Sequence, residues 1–317
     1  MTTRVTLRPD PPFRLDLTVW ALRRRARNVI DSWDGERYSR LLEIDGAPAL
    51  IVISQISPPS HPELEILCID RGHGAAVQRL TEFVRRLLGL DVGLADFYKL
   101  AATNARLEAL AKRFAGFRPP RFPTVFEAAV NAVCCQQLSL EVGLELLNRL
   151  AATAGAKTTH NGTTFFAFPQ PRGIARLSEE RLRGLGFSRQ KAATLLALAT
   201  ILSGDESFLE RLTEHDEDAV RSQLLELKGI GRWSAEYIML RGLGRLDIFP
   251  ADDIAAQKNL QRWLAIGSGA RQSAYERIHR ALRKWRPYQG LVYFHLLLAG
   301  LADRGLIESS AQQQRLA

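Results

Sequence analysis

The stretch Leu224–Asp253, LLELKGIGRWSAEYIMLRGLGRLDIFPADD, constrains the chain more than any other. Apolar residues at helical spacing run into Lys228-Gly229-Ile230-Gly231, and a second helical pattern begins at once. Two glycines around one apolar residue permit a tight turn that exposes successive backbone groups, and such a turn ahead of a helix suits a phosphate. The chain then reaches Phe249-Pro250, where proline resists continuation of the incoming segment. It ends in Asp252 and Asp253, and an Asp there can cap a helix that starts at Ile254. Hairpin and carboxylates have to be read together.

Charge narrows the partner. Lys and Arg number 43 against 34 Asp and Glu, which gives +9 over 317 residues. With a pI near 9.8, the balance favours polyanions over acidic small molecules. Three cysteines, Cys68 and the adjacent pair Cys134-Cys135, make no CxxC, and an iron–sulfur cluster normally takes four thiolates. They read as reduced thiols in a cytoplasmic, DNA-associated protein. No apolar run approaches the roughly 18 residues of a membrane span, and the start MTTRVTLRPDPPF has no apolar signal core.

The fold class read from the chain is α+β. Over 1–91, a helical pattern at Leu15–Asn28 precedes β-rich runs at Tyr38–Ile44, Ala49–Ser54 and Glu65–Ile69, with a turn at Asp45-Gly46-Ala47-Pro48 and an amphipathic helix over Ala75–Leu88. This describes a small antiparallel sheet with helices. The arginines at 23, 24, 25 and 27 read as a solvated helix face. Beyond Asp91 almost every segment has apolar residues at three-to-four spacing, including Leu94–Phe114, Val125–Ala154, Ile174–Leu185 and Gly290–Leu301. A mainly helical two-lobe body is expected, with one lobe from 92–121 plus 246–317 and the other, holding the hairpin, from 122–245. The run Leu182–Lys191 reads as a second glycine joint between helices.

The combination Leu227–Tyr237 followed by Phe249-Pro-Ala-Asp-Asp resembles the helix–hairpin–helix, Gly/Pro-rich loop and aspartate signature of the base-excision DNA glycosylases, and most closely the DNA-3-methyladenine glycosylase II family. Hairpin, aromatic pair and acid occur together, with Asp253 20 positions after Trp233. The Gln136-Gln137-Leu-Ser segment and Trp285-Arg-Pro-Tyr288 extend the likeness across most of the chain.

The residues themselves support part of this chemistry. Lys228, Gly229, Ile230, Gly231 and Arg232 form a hairpin that grips a phosphate without reading a base. A base within a duplex has to be flipped out before its glycosidic bond is reached. Trp233 and Tyr237, at i and i+4, can form one wall of a slot, and a cationic alkylpurine over an indole is favoured by about 0.5–2 kcal/mol.

The resemblance implies the rest. Asp253 is the catalytic carboxylate, stabilising the sugar cation or orienting water, and Asp252 supports it as the cap of the following helix. A bifunctional relative carries a lysine where Trp233 stands, so the implied enzyme is monofunctional and leaves an abasic site. Gln137, with Gln136, occupies the position of the wedge that fills the gap left by the flipped base. Backbone carbonyls of Leu225, Leu227 and Ile230 would hold a monovalent cation; no other cofactor is implied. Leu297-Leu298 stand where some relatives carry an aromatic pair, which predicts a less aromatic pocket. Tyr293, Phe294 and His295 read as core.

The expected partner is double-stranded DNA containing damaged bases, bound by a monomer, with 3-methyladenine and related alkylpurines as substrates. A glycosylase for oxidised or deaminated bases and a non-catalytic DNA-damage-binding protein are the competing readings. The intact Asp253 and Trp233 oppose the second.

Overall fold

The computed structural model describes residues 2–44, 46–70, 77–205, 207–265 and 274–307. Gly267-Ser268-Gly269 and the tail from Gln312 lie outside these residues. The N-terminal part comprises β1 (Thr2–Leu7), α1 (Leu15–Arg23), β2 (Ser32–Trp33), β3 (Arg37–Ile44), β4 (Ala47–Gln55), β5 (Leu64–Asp70) and α2 (Val77–Leu88). The helical part runs through α3 (Ala95–Ala102), α4 (Ala105–Arg113), α5 (Val125–Cys135) and α6 (Leu140–Ala154) to the hairpin β6 (Lys157–His160) and β7 (Thr163–Phe166). It continues as α7 (Pro171–Ala175), α8 (Glu179–Gly184), α9 (Arg189–Gly204), α10 (Glu217–Glu226), α11 (Arg232–Ile238), α12 (Ile254–Leu264), α13 (Ala274–Leu282) and α14 (Gln289–Ala302).

The five-stranded sheet has the order β1-β5-β4-β3-β2 with antiparallel pairing throughout. Alternation sends Tyr38, Ile51, Ile53, Leu64 and Ile66 into the main core. Leu41 and Leu50 point the other way and bury against Ala167 beyond β7. Both faces of the sheet are therefore in use, which locks the N-terminal part onto the helical one. Strand β1 was not anticipated; its sequence TTRVTL is an edge strand that never becomes fully buried, so no strong alternation marks it.

A charged knot reinforces that junction. Arg40 on β3 pairs with Asp31 at 2.6 Å and with Glu127 of α5 at 2.5 Å, and Tyr38 Oη donates to the same Asp31 oxygen at 2.7 Å. Glu127 is fully enclosed, and burial raises its pKa against the lowering effect of Arg40. Breaking such a set would strand a charge, so it fixes one way of docking sheet on helix.

Three expected helices divide. Leu94–Phe114 becomes α3 and α4 because Asn104 accepts the Leu107 N–H and caps a new helix. Ile174–Leu185 falls on α7 and α8. Val125–Ala154 breaks at Gln136–Ser139, where Ser139 caps α6 and Lys191 Nζ donates to the carbonyls of Val133, Cys134 and Gln136 at 2.8, 2.9 and 2.8 Å. A long-range amine therefore ends α5, a contact that periodicity does not register. The second glycine joint does lie between helices, α8 and α9, with Gly186 at φ +103°.

Helix α1 also stops early, at Arg23, and Arg24 turns the chain at φ 62°. This overturns the solvated-face reading for half of the arginine run. Arg23 and Arg24 are each 5 % exposed, whereas Arg27 projects into solvent towards Glu145 and Arg25 pairs with Glu141 at 2.6 Å. Among the described residues no helix is long and apolar enough to cross a membrane.

Candidate active site

A cleft of about 1290 Å³ opens between α5–α6 on one side and α11, α12 and α14 on the other. Its rim is the hairpin. Helix α10 ends at Leu227, Ile230 N–H donates to Leu227 O at 3.0 Å, and Gly229 holds the turn at φ +83°. Gly231 begins α11 with no side chain capping it, so the first N–H groups of that helix remain available at the rim. Lys228 is exposed on the turn, while Ile230 is buried beneath it.

Helix α11 carries the aromatic wall inward. Trp233 and Tyr237 meet with ring centroids 5.3 Å apart and planes inclined by 31°. Trp233 is half-buried and faces the cleft, and Tyr237 lies deeper. The slot has more than this one wall: Tyr293 and Leu297 of α14 also line it. Leu297 lines the cavity and Leu298 is fully buried, so of that pair Leu297 contributes an aliphatic surface to the slot.

The capping duty expected of Asp252 falls to its neighbour. Asp253, not Asp252, caps α12, its Oδ1 accepting the Ala256 N–H at 2.9 Å. Its Oδ2 accepts the Tyr293 hydroxyl at 3.3 Å and borders the cleft. Asp252 forms a two-pronged ion pair with Arg232, at 2.6 and 3.0 Å. The cap falls to the second Asp because Asp253 N–H closes a turn onto Pro250 O, so the helix starts one residue later than Asp252 could cap. Arg232 is thereby committed to the loop, with its guanidinium 3.9 Å over the Tyr275 ring.

Below that pair sits Glu236, almost fully buried on α11. It accepts the Ala251 N–H at 3.2 Å, the Tyr275 hydroxyl at 2.6 Å and an Arg221 N–H at 3.2 Å. Burial raises its pKa, opposed by Tyr275 and Arg221. The side chain thus joins the helix of the aromatic wall to the loop that presents Asp253. Nothing in its sequence neighbourhood had marked it.

The two glutamines also separate in role. Gln136 Nε2 donates to Gly229 O at 2.9 Å and Ser234 Oγ at 2.6 Å, tying the α5–α6 turn to the hairpin. It cannot also enter a duplex while it holds those bonds. Gln137 stands exposed at φ 54° on the lip of the cleft, beside the 41 % exposed Leu138.

Sequence reasoning missed two residues of the cleft. Tyr293, read as core, reaches Asp253; a buried tyrosine seeks a partner for its hydroxyl, and that was the available signal. Arg24 lines the cleft floor and donates to Tyr237 Oη and Asn131 Oδ1, each at 2.7 Å. His295 does behave as a core residue, bonded to Leu291 O at 2.7 Å, with burial lowering its pKa to about 4. Among the described residues no cluster of His, Cys, Asp and Glu could hold a metal ion.

Residues 130–287 match the family model described as HhH-GPD superfamily base excision DNA repair protein. A DNA-3-methyladenine glycosylase of Bacillus subtilis is 25% identical over 219 residues, covering 69% of this chain and 71% of that protein. A probable bifunctional transcriptional activator/DNA repair enzyme AlkA of Mycobacterium tuberculosis is 32% identical over 213 residues, 67% of this chain but 41% of the longer relative. Among solved structures, the 3-methyladenine DNA-glycosylase of Archaeoglobus fulgidus superposes with a TM-score of 0.76 at 25% identity, covering 93% of this chain and 97% of that one. Motif, cleft and overall architecture agree, and the chain belongs to the HhH-GPD superfamily of base excision DNA repair proteins, in its DNA-3-methyladenine glycosylase II-like branch.

Proposed function

We propose that this protein is a monofunctional DNA glycosylase that hydrolyses the N-glycosidic bond of alkylated purines, 3-methyladenine among them, in duplex DNA. The observation that carries the reading is Asp253: one oxygen is engaged in capping α12, while the other borders a cleft walled by Trp233 and Tyr237. A carboxylate fixed in this way cannot swing away from a bound nucleotide. It faces the position where positive charge develops on C1′ as the base departs, and stabilises it at no reorganisation cost.

The surrounding residues divide the work of presentation. Gly229, Ile230, Gly231 and the exposed Lys228 would hold a phosphate of the damaged strand by backbone N–H groups and charge. Gln137, projecting from the lip, would fill the space vacated by the flipped nucleotide, with Gln136 bracing it from the hairpin side. Arg232 and Asp252 hold the loop. The Leu225, Leu227 and Ile230 carbonyls would hold a monovalent cation that braces the turn, Leu227 O doing so with its second lone pair while it accepts the Ile230 N–H. The two helical lobes, 122–245 and 92–121 with 246–317, would close on the DNA from either side of the cleft, one monomer per lesion.

Mass spectrometry of the bases released from alkylated, oxidised and deaminated duplexes tests this directly. Alkylpurines are expected from the alkylated DNA, and release of none would overturn the proposal. Borohydride should trap no covalent adduct, since Trp233 occupies the lyase position; a trapped adduct would end the monofunctional assignment. The logarithm of the binding constant for an abasic-site duplex should fall linearly with log salt concentration, as phosphate contacts require.

A further inference from the structure

The floor of the cleft carries a positive charge that the hydrolysis of a cationic base does not need. Arg24 is 5 % exposed, and among the described residues no carboxylate lies within ion-pair distance of it. Its donors go to Tyr237 Oη and Asn131 Oδ1, the Cys135 thiol is a further neighbour, and Nε has no protein partner. A second guanidinium, Arg241, lies behind it. That group is fully buried between Phe122 and Phe294 and donates to Ala21 O and Leu22 O. Both act on Tyr237. Holding a cation in the interior is costly, and two in one place are more so; the carboxylates of Asp31 and Glu127, both paired with Arg40, act on Arg24 only from beyond ion-pair distance. A guanidinium has five N–H donors; the Nε–H of Arg24 is buried without a partner, while Nη1 and Nη2 have one named acceptor each and so retain a second N–H each, on a residue that lines the cleft.

We propose that Arg24 is a specificity-determining residue that biases the slot toward damaged purines that are neutral in the nucleotide and carry hydrogen-bond acceptors on their edge. The inference rests on the base-slot reading above and deepens it. A base that is already cationic departs neutral as the C1′–N bond breaks, and a fixed guanidinium repels it in the ground state. With a neutral base, the bonding electron pair leaves on the base nitrogen as an anion while C1′ becomes cationic. Water oxygen then bonds C1′ and loses a proton, and the base anion takes up a proton from solvent. This transition state has negative charge on the base and positive charge on the sugar. Arg24 on the floor and Asp253 at the mouth of the slot match those two charges in order.

The experiment is a ratio of second-order single-turnover release rates, taken with enzyme below saturation so that free enzyme and DNA are the reference state, on otherwise identical duplexes with hypoxanthine as the neutral base and 7-methylguanine as the cationic one. Taking the ratio removes any uniform loss caused by altered packing. In Arg24→Met the ratio of hypoxanthine to 7-methylguanine release should fall at least about tenfold, and in Arg24→Lys it should stay within about threefold of the parent. Arg24→Gln, which keeps donors for Tyr237 and Asn131 but no charge, should fall with Arg24→Met and serves where the methionine variant does not fold. An unchanged ratio in the neutral variants, or an equal fall in Arg24→Lys, overturns the proposal. So does a parent protein that releases 7-methylguanine and no neutral base, an outcome that leaves the glycosylase assignment standing. Release of neither base, nor of any alkylpurine, would instead sink the glycosylase assignment itself.

Discussion

Asp253→Asn is expected to lower the release of alkylated bases by about 10²–10³-fold while leaving the fold and DNA binding in place. The separation is possible because the carboxylate has two duties on two oxygens. As a cap, Oδ1 accepts the Ala256 N–H at 2.9 Å, and asparagine performs that task about as well as aspartate, so melting should move by no more than about 0.5 kcal/mol. As a catalyst, Asp253 offers negative charge to a developing sugar cation, and an amide offers only a dipole. The hairpin is untouched by the change, so affinity for an abasic-site duplex should hold. Single-turnover release and a thermal melt measure both sides. Undiminished release would remove Asp253 from the mechanism, and a collapse of the melting temperature would mean that the carboxylate charge is structural.

The Asp253 neighbourhood also shows where sequence reading reaches and where it stops. The hairpin, the aromatic pair and the acid were legible because each is a local pattern: glycines that relax the backbone, two rings one helical turn apart, a carboxylate after proline. Which of two adjacent aspartates caps α12 was not legible, because it depends on a turn that Asp253 N–H closes onto Pro250 O. Long-range partners were hidden for the same reason. Tyr293 stands 40 positions from Asp253, and Arg24 reaches Tyr237 across 213. Arginines in a row ordinarily mark a solvated face; here α1 ends at Arg23 and the chain turns inward at Arg24, so the periodicity that assigns faces no longer applies. The α+β division survived because strand alternation and helix spacing are local. The break between α5 and α6 was lost because Lys191, which fixes it, lies on another helix.

Gly229→Ala should be damaging out of proportion to one methyl group. The residue sits at φ +83°, and a Cβ built there would lie 2.0 Å from Thr194 Oγ1 and 2.9 Å from its Cγ2. Thr194 is itself 2 % exposed on α9, with nowhere to retreat. The hairpin has to lift from α9, and lifting it stretches the bond from Gln136 Nε2 to Gly229 O. Backbone strain and overpacking together should cost about 2–4 kcal/mol of stability. Displacement of the phosphate grip should weaken binding to duplex DNA by about tenfold or more. The neighbouring glycine supplies the control. Gly231 has φ −99° and open space around its would-be Cβ, so Gly231→Ala should cost less than about 1 kcal/mol. If steric conflict with Thr194 is the cause, the double variant Gly229→Ala/Thr194→Ala should recover part of the lost stability, since it removes the two closest atoms. Equal effects at the two glycines, or no recovery in the double variant, would mean that the turn is held by something other than its contact with α9.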